Sequence, residues 1–432
     1  MSIKTMSGAQ FSKRERTGVS SDILVRAGQI LDNIQKEGFD GVIALTEKFD
    51  GIVLSKESVA VSTKGAAAKL TSLEKEAIDT AFERIKVVQE AIAKEALKEI
   101  RTPVGEGYVT LRPRSMERVG IYVPGGRAPL PSSLLMAGVT AKAAGVKEFI
   151  VCTPPQKNSP INPAILYIAE KLGIEKVYQI GGAQAIAAMA YGIESIFKKV
   201  DIICGPGNAY VAAAKQIALS RGLVAIDLIA GPSEVMILAD ESANPTYIAA
   251  DMLAQAEHGE TSPAVLLTRS ERLGKVVERE VEKQLRELKD NRIATCAIQD
   301  YGALVIVNDN NEALKIVNQY GPEHLELFLS NIREMESIAK EVIAGAVFIN
   351  TGEAFADYGM SGGNHILPTG GSARFYSGLS VYSFLVRTYE EFMTNDEQAQ
   401  FSAPTTVFAD IEKLPAHAKA ARIRAKNGEK ND

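Results

Sequence analysis

The sequence predicts an α/β fold of two lobes with parallel sheets, and three observations carry that expectation. Short runs rich in β-branched residues alternate with helical stretches from about Arg118 to Asn350. The runs fall into two successive series: VGIYV, EFIVC, KVYQI and VDIIC, then, from about Gly231, EVMILA, AVLLT, ALVIV, LELFL and AVFIN. Each run of the first series is followed by a helical stretch of roughly 10–15 residues, and the second series again alternates with helices, as parallel pairing requires. Two like series suggest an old duplication, although no internal sequence repeat marks it.

Taken in order, residues 1–22 read as an N-terminal arm, basic, with no acid before Glu15, and mobile rather than folded. A short targeting segment is the competing reading of the same composition. Residues 23–118 read as helical and as packing with the second lobe. A helix runs from about Ser21 to a stop at Gly38, and Thr71-Ser72-Leu73-Glu74 has the pattern of a capping box. That box opens a long helix with Ile78, Phe82, Ile85, Ile92 and Ala96 at helical spacing, a packing stripe. Residues 119–230 form the first lobe and 231–372 the second. Beyond Asn350 the pattern gives way to the glycine-rich TGEAFADYGMSGGNHILPTGG, and loops beyond the ends of parallel strands commonly build sites. Residues 373–432 read as a tail of short helical pieces, too few to bury a core of their own. Such a tail must dock on something, and a partner subunit is one candidate.

Composition excludes several function classes. With 46% hydrophobic and 23% charged residues, the 432-residue chain is an ordinary globular one. A formal net charge of −5 weighs against nucleic acid as a partner. No apolar run approaches the ~18 residues of a membrane span, and the N-terminus lacks a signal-peptide core. Cys152, Cys204 and Cys296 match no metal or redox pattern. Free thiols fit a reducing compartment, so a cytoplasmic location is expected.

The chain has four histidines: His258, His324, His365 and His417. Gln255 and His258 stand three apart in a helix with Asn244 as N-cap, Pro245 at its first position and Gly259 as terminator. That spacing puts an amide oxygen and an imidazole on one face, able to form half of a metal site. Alternatively, His258 caps its helix. Glu323-His324 lies at a loop-to-strand entry, where two adjacent proton-transfer groups can serve two transfers if both reach one pocket. A surface Glu beside a capped His is the plainer reading. Asp357, in the glycine-rich loop, could ligate a metal or form an Asx-turn. Three glycine joints end strands and open helices: Tyr122-Val123-Pro124-Gly125-Gly126, Gly181-Gly182-Ala183-Gln184 and Gly205-Pro206-Gly207-Asn208. Such joints suit backbone amides meeting phosphate, but none has the G-x-G-x-x-G spacing, and each alone reads equally as a tight turn. Cys204 has no activating partner in sequence and reads as a buried strand-end residue.

Together these stretches carry a resemblance. ERVGIYVPGGRAPLPSSLLM, GGAQAIAAMAYG, CGPGNAYVAAAKQ, IAGPSEVMILAD, ADMLAQAEHG, GPEHLEL, DYGMSGGNHILPT and SGLSVYSF occur in this order. The chain resembles the L-histidinol dehydrogenase family closely from about Arg118 to Thr388 and more loosely outside. The resemblance implies two incomplete Rossmann-like lobes, an NAD-binding one at 119–230 and a metal and catalytic one at 231–372. It also implies a homodimer whose tails are exchanged, so that each site is shared between subunits. The implied zinc ligands are Gln255, His258, Asp357 and His417, the last from the partner's tail, with Mn²⁺ as the alternative ion. The implied substrate contacts add Ser233, His324 and Glu412 to those ligands, and the implied NAD contacts are Tyr122, Gln184 and Asn208.

By the same resemblance the reaction oxidises L-histidinol to L-histidine through L-histidinaldehyde with two NAD, late in histidine biosynthesis. His324 would act as the base, and Glu323 would activate the water that adds to the aldehyde. Ala137, Pro263, Ala356 and Val386 depart from the family's usual residues, none at an implied metal or catalytic position. Three other readings compete: a dehydrogenase of the same scaffold acting on another small polar alcohol, a metal-dependent hydrolase, and a non-catalytic binding protein. The hydrolase leaves the glycine joints without a task, and the binding protein leaves Glu323-His324 without one.

Overall fold

Every run read as a strand forms one, and the two lobes share one strand order. The structure, a computed structural model, describes residues 3–14, 20–125, 129–157, 160–229 and 231–425. Gly126 of the first glycine joint, parts of the N-terminal arm and residues 426–432 of the tail lie outside the described residues. In the first lobe the sheet neighbours are Ala60–Ser62, Lys176–Tyr178, Glu148–Cys152, Arg118–Tyr122, Ile202–Cys204 and Ala225–Ile226. In the second they are Lys4–Ser7, Ala303–Ile306, Ala264–Thr268, Val235–Ala239, His324–Phe328 and Ala346–Ile349. Leaving out the first strand of each, both lobes read 3-2-1-4-5 in chain order, all parallel. That is the Rossmann order without its sixth strand. Shared topology is what the paired series of strands led us to expect.

Burial explains why those runs read as nearly continuous apolar segments. In the strand Val235–Ala239, Val235 and Ile237 enter the core on one face, Met236 and Leu238 that on the other. A parallel sheet covered on both sides leaves no face for polar residues.

Several sequence expectations need correction. The N-terminal arm is not a loose appendage: Lys4–Ser7 pairs in parallel with Ala303–Ile306 as an edge strand. Ile3 and Phe11 are buried beside it, so the apolar residues of the arm, not its basic ones, decide its fate. Nor does residues 23–118 behave as one helical segment packed on the second lobe. The helix Ser21–Glu37 buries Ala27, Ile30, Leu31 and Ile34 against helices of the first lobe, Gly182–Tyr191 and Ala209–Ser220. The capping box forms, with Glu74 N–H donating to Thr71 Oγ1 at 3.2 Å and Thr71 N–H to Glu74 Oε2 at 2.7 Å. Its helix, Ser72–Ala96, meets the glycine-rich loop, where a Cβ on Gly359 would stand 2.6 Å from Ile85. It also meets the first lobe, where Asp79 pairs with Lys171 at 2.8 Å. Residues 100–115 are strands, which the helical reading of this segment missed.

Chain contacts set the boundary of the tail at 385 rather than 373 and give it a second segment. Residues 93–115 and 385–425 form one compact unit, and the other holds both lobes. In it Ile100–Val104, Gly107–Ser115 and Leu385–Phe392 make an antiparallel sheet, followed by the helices Asn395–Gln400, Ser402–Ile411 and Pro415–Ala425. Among the described residues beyond Phe384, the buried apolar side chains are Ala409, Ala418 and Ala421 alone, while Tyr389, Phe408 and Ile411 are 69%, 68% and 70% exposed. The tail buries almost no core, as its length led us to expect. Among the described residues no helix is long and apolar enough to cross a membrane.

Candidate active site

In the second lobe the candidate residues gather at the amino ends of the strands. His324 opens its strand opposite Val235, and Ser233 and Glu234 lie just before that neighbour. The strand order reverses between these two strands. The intervening helix, Pro245–Ala256, returns the chain antiparallel to the strands, as a crossover must. It begins as expected, with Asn244 Oδ1 accepting the Thr246 N–H at 2.9 Å, and it brings Gln255 and His258 to the same end. His258 lies beyond the last helical residue but keeps its spacing, because its N–H donates to Gln255 O at 3.3 Å. The usual rule places ligands at carboxyl ends, so this lobe departs from it. The loop after Ala346–Ile349 folds back to the site. Its anchor is Glu353 N–H, which donates to Glu326 Oε1 at 2.8 Å, and it delivers Asp357 through the short helix Ala354–Asp357.

His324 is 3% exposed and its two ring nitrogens face different surroundings. Nδ1 lies 3.2 Å from Glu353 Oε2 and 3.3 Å from Glu234 O. Both are acceptors, so the proton belongs on Nδ1, and Nε2 carries the lone pair. Nε2 is buried without a hydrogen-bond partner, 3.8 Å from Asp357 Oδ1. Burial pushes the imidazole pKa down to about 4, with Asp357 opposing. The ring is therefore neutral at physiological pH and ready to accept a proton at Nε2. Burial drives the Glu323 carboxyl well above its ordinary range, and Glu234 and Asp357 add to that; the Glu234 N–H, donating to Glu323 Oε2 at 3.0 Å, opposes it. Burial likewise raises Glu353 and Glu326, with neighbouring carboxylates adding to it.

The metal reading can be tested on the donors present. His258 Nε2 and Asp357 Oδ2 lie 3.8 Å apart. Two ligands about 2.1 Å from one tetrahedral Zn²⁺ stand roughly 3.4 Å apart, so this pair needs only a small adjustment. Gln255, fully buried, donates from its amide nitrogen to Glu353 at 2.6 and 3.0 Å and accepts the Glu234 N–H at 2.8 Å on its oxygen. That oxygen keeps a second lone pair. Among the described residues no three His, Cys, Asp or Glu side chains converge to hold a metal. The imidazole and the carboxylate are thus spaced as two donors to one ion, with the Gln255 oxygen as a third candidate. His417, on the helix Pro415–Ala425, and Glu412 belong to the other unit and are exposed there.

The first lobe meets the cleft with carboxyl ends, at the reversal between Arg118–Tyr122 and Ile202–Cys204, where the rule expects a ligand. The glycine joints touch one another there. Tyr122 Oη accepts the Gly182 N–H at 3.1 Å, and its burial raises the phenol pKa to about 12. Gly205, at φ +113°, approaches so closely that a Cβ would lie 2.1 Å from Tyr122 O. Asn208 caps the next helix, its Oδ1 accepting the Tyr210 and Val211 N–H groups at 3.0 and 3.1 Å. Gln184 is buried with Nε2 3.5 Å from Asp50 Oδ2. One cleft is lined by Tyr122, Gln184 and Asn208 together with Ser233, Gln255, His258, Glu323, His324 and Asp357. Cys204 is buried, and burial raises its thiol well above the ordinary range, as its strand-end position led us to expect.

Comparison with known proteins decides the family. The model of the histidinol dehydrogenase family matches residues 13–425. The chain belongs to the histidinol dehydrogenase family. It is 41% identical to the histidinol dehydrogenase of Lactococcus lactis subsp. lactis (strain IL1403), covering 95% of this chain and 94% of that one. With that of Bacteroides thetaiotaomicron it shares 43% identity, over 91% of each chain. The crystal structure of histidinol dehydrogenase from Elizabethkingia anophelis superposes with a TM-score of 0.90 at 36% identity, over 99% of both chains. Histidinol dehydrogenase is an oxidoreductase of histidine biosynthesis, and that activity is this chain's.

Sequence reasoning missed one residue that this histidinol dehydrogenase site depends on. Glu353 is 1% exposed and touches both His324 and Gln255, yet it stands in a glycine-rich loop with no motif to mark it. The one available signal was a lone acid in an apolar stretch, TGEAF. His365, half-buried, also reaches the cleft, its Nδ1 buried and unpartnered. Glu353→Gln keeps shape but puts an amide in place of the carboxyl beside His324 Nδ1. Histidinol oxidation is expected to fall by roughly ten- to a hundredfold in kcat, with the thermal midpoint nearly unchanged. Steady-state kinetics alongside a melting curve would check it, and full activity would deny Glu353 that part.

Proposed function

We propose that the protein oxidises L-histidinol to L-histidine through L-histidinaldehyde in a four-electron, NAD- and zinc-dependent reaction. The observation that carries this reading is His324: a neutral, buried imidazole with Nδ1 held by acceptors and Nε2 free. That arrangement suits a base acting on an alcohol inside the cleft. NAD, when bound, accepts a hydride in each oxidation, and zinc, when bound, orients the substrate's imidazole and amino nitrogens. The glycine joints at the carboxyl ends of the first lobe suit a dinucleotide, with Tyr122, Gln184 and Asn208 as its contacts. Arg26 and Lys48 on the same cleft supply cations for its phosphates. Gln255, His258 and Asp357 would hold the metal with His417, and Ser233 and Glu412 would bind substrate.

In the first oxidation His324 Nε2 takes the alcohol proton as hydride leaves the carbon. In the second, Glu323 takes a proton from the water that adds to the aldehyde, and His324 removes the proton of the hydrate. Positioning of this kind can be worth several kcal/mol, up to roughly 7–11 in ideal cases. Cys152, Cys204 and Cys296 are all free, which supports a cytoplasmic setting. The reading is tested by NADH production with purified protein against a panel of amino alcohols. Two NADH per L-histidinol are expected, lost on chelation and restored by zinc. A fully active, chelator-treated protein would end the metal argument.

Only Glu323 is assigned to water activation, so Glu323→Gln should slow aldehyde oxidation by about 10²-fold or more while alcohol oxidation falls far less. Single-turnover assays with each substrate separate the two steps. Equal losses would remove the role.

The exposed apolar side chains of the tail support a homodimer in which each tail completes the neighbour's site. Refolding His417→Ala and His258→Ala subunits together should then restore up to about a quarter of wild-type activity. Random pairing makes half the dimers mixed, each with one intact site in two. Verified heterodimers without recovered activity would overturn the shared site and leave the metal assignment standing.

A further inference from the structure

We propose that Lys215 and Asp227 are positioning residues for the dinucleotide, clamping Gly205 so that its turn presents the backbone of the first lobe to the cofactor. The inference rests on the NAD reading above. Both side chains are 1% exposed. Lys215 Nζ donates to Asp227 Oδ1 and to Gly205 O, the latter at 3.1 Å. Asp227 Oδ2 accepts the Gly205 N–H at 2.8 Å, and its Oδ1 accepts the Leu228 N–H at 2.6 Å. Both backbone groups of one glycine are therefore held by the two members of one buried ion pair.

The energetics favour position over stability as the purpose of this pair. Desolvating an ammonium and a carboxylate is costly, and apolar residues of similar volume often stabilise as well or better. What apolar residues cannot do is donate to a carbonyl and accept from an amide at the same residue. Gly205 needs that hold, because its φ of +113° is one that residues with a Cβ rarely adopt. Its backbone also presses on Tyr122, the residue expected to meet NAD from the neighbouring strand. Three residues later Asn208 caps the helix Ala209–Ser220, and Lys215 rises from the middle of that same helix. The clamp thus ties the strand end, the turn and the helix into one rigid piece at the strand reversal, where a dinucleotide's phosphates meet backbone amides.

The test uses zinc-loaded full-length protein and NADH as the probe, comparing wild type, Lys215→Met, Asp227→Asn and the double variant. NADH dissociation constants come from fluorescence titration, KM for NAD and for histidinol from kinetics, and thermal midpoints from melting curves. Lys215→Met is expected to weaken NADH at least tenfold and to raise KM for NAD similarly, with KM for histidinol within twofold. The double variant removes the stranded buried charge, so its midpoint should recover relative to Lys215→Met while its NADH affinity stays weak. That split separates positioning from mere stability. A double variant that binds NADH like wild type overturns the proposal, as does an equal loss for NAD and histidinol. If Lys215→Met does not accumulate in folded form, Asp227→Asn, which keeps the side-chain volume, is held to the same criteria. Wild type that binds no NADH fails the NAD reading itself, before any variant is compared, and the clamp falls with it.

Discussion

Packing acids around a buried imidazole imposes a constraint that orders the second lobe. Glu234, Glu323, Glu326 and Glu353 are all nearly inaccessible to water, and Asp251 and Asp357 lie among them. Burial raises the cost of each charge, and each ionised neighbour raises it further. The carboxyls therefore cannot all be ionised together. Asp251, raised to about 6 by burial, neighbours Glu326, which accepts the Glu353 N–H. Burial raises Glu353 as well, and its carboxyl stands beside His324 Nδ1 at 3.2 Å. With Glu234 O as the other neighbour of that nitrogen, the ring has one tautomer open to it, and its lone pair faces outward. Gly352 belongs to the same arrangement, since a Cβ there would stand 2.6 Å from Asp251 Oδ1.

Two lobes of one topology contribute opposite ends of their sheets to one cleft. The first presents carboxyl ends, where turns into helices offer backbone amides and few ionisable side chains. The second presents amino ends, where side chains from Ser233, Glu234, Glu323 and His324 meet the end of a returning helix. This separates backbone recognition from proton chemistry. It also explains why the first lobe's candidates are glycines with one polar residue each, while the second lobe's are acids and histidines.

Much of this was legible in the sequence. Strand periodicity located every parallel strand of both lobes except the edge strands Lys4–Ser7 and Ala225–Ile226, and the Asn244-Pro245 start placed Gln255 and His258 one turn apart. The edges were not legible. Lys4–Ser7 is a short polar-looking stretch that becomes a strand only because Ala303–Ile306 offers an unpaired edge. The strands at 100–115 pair with each other and with Leu385–Phe392, and the second of these contacts spans about 270 residues, so no local pattern records it. Glu353 was invisible for the same reason. Its surroundings come from residues 255, 324 and 326, and only the folded chain assembles them.

The tail shows where burial and function part. A segment of this length normally survives by contributing to a core, yet its large side chains, Tyr389, Phe392, Phe408 and Ile411 among them, face outward from the unit they belong to. Its helices hold together by small contacts, such as Ser402 Oγ donating to Ala421 O at 2.9 Å, and by alanines that let them approach. Helices joined this way keep their shape while leaving their apolar residues available to a second surface. Glu412 and His417 stand beside those residues, at the end of one helix and in the first turn of the next. A surface that gains its burial elsewhere can carry two polar side chains to that place with it, which is what a site completed on docking requires.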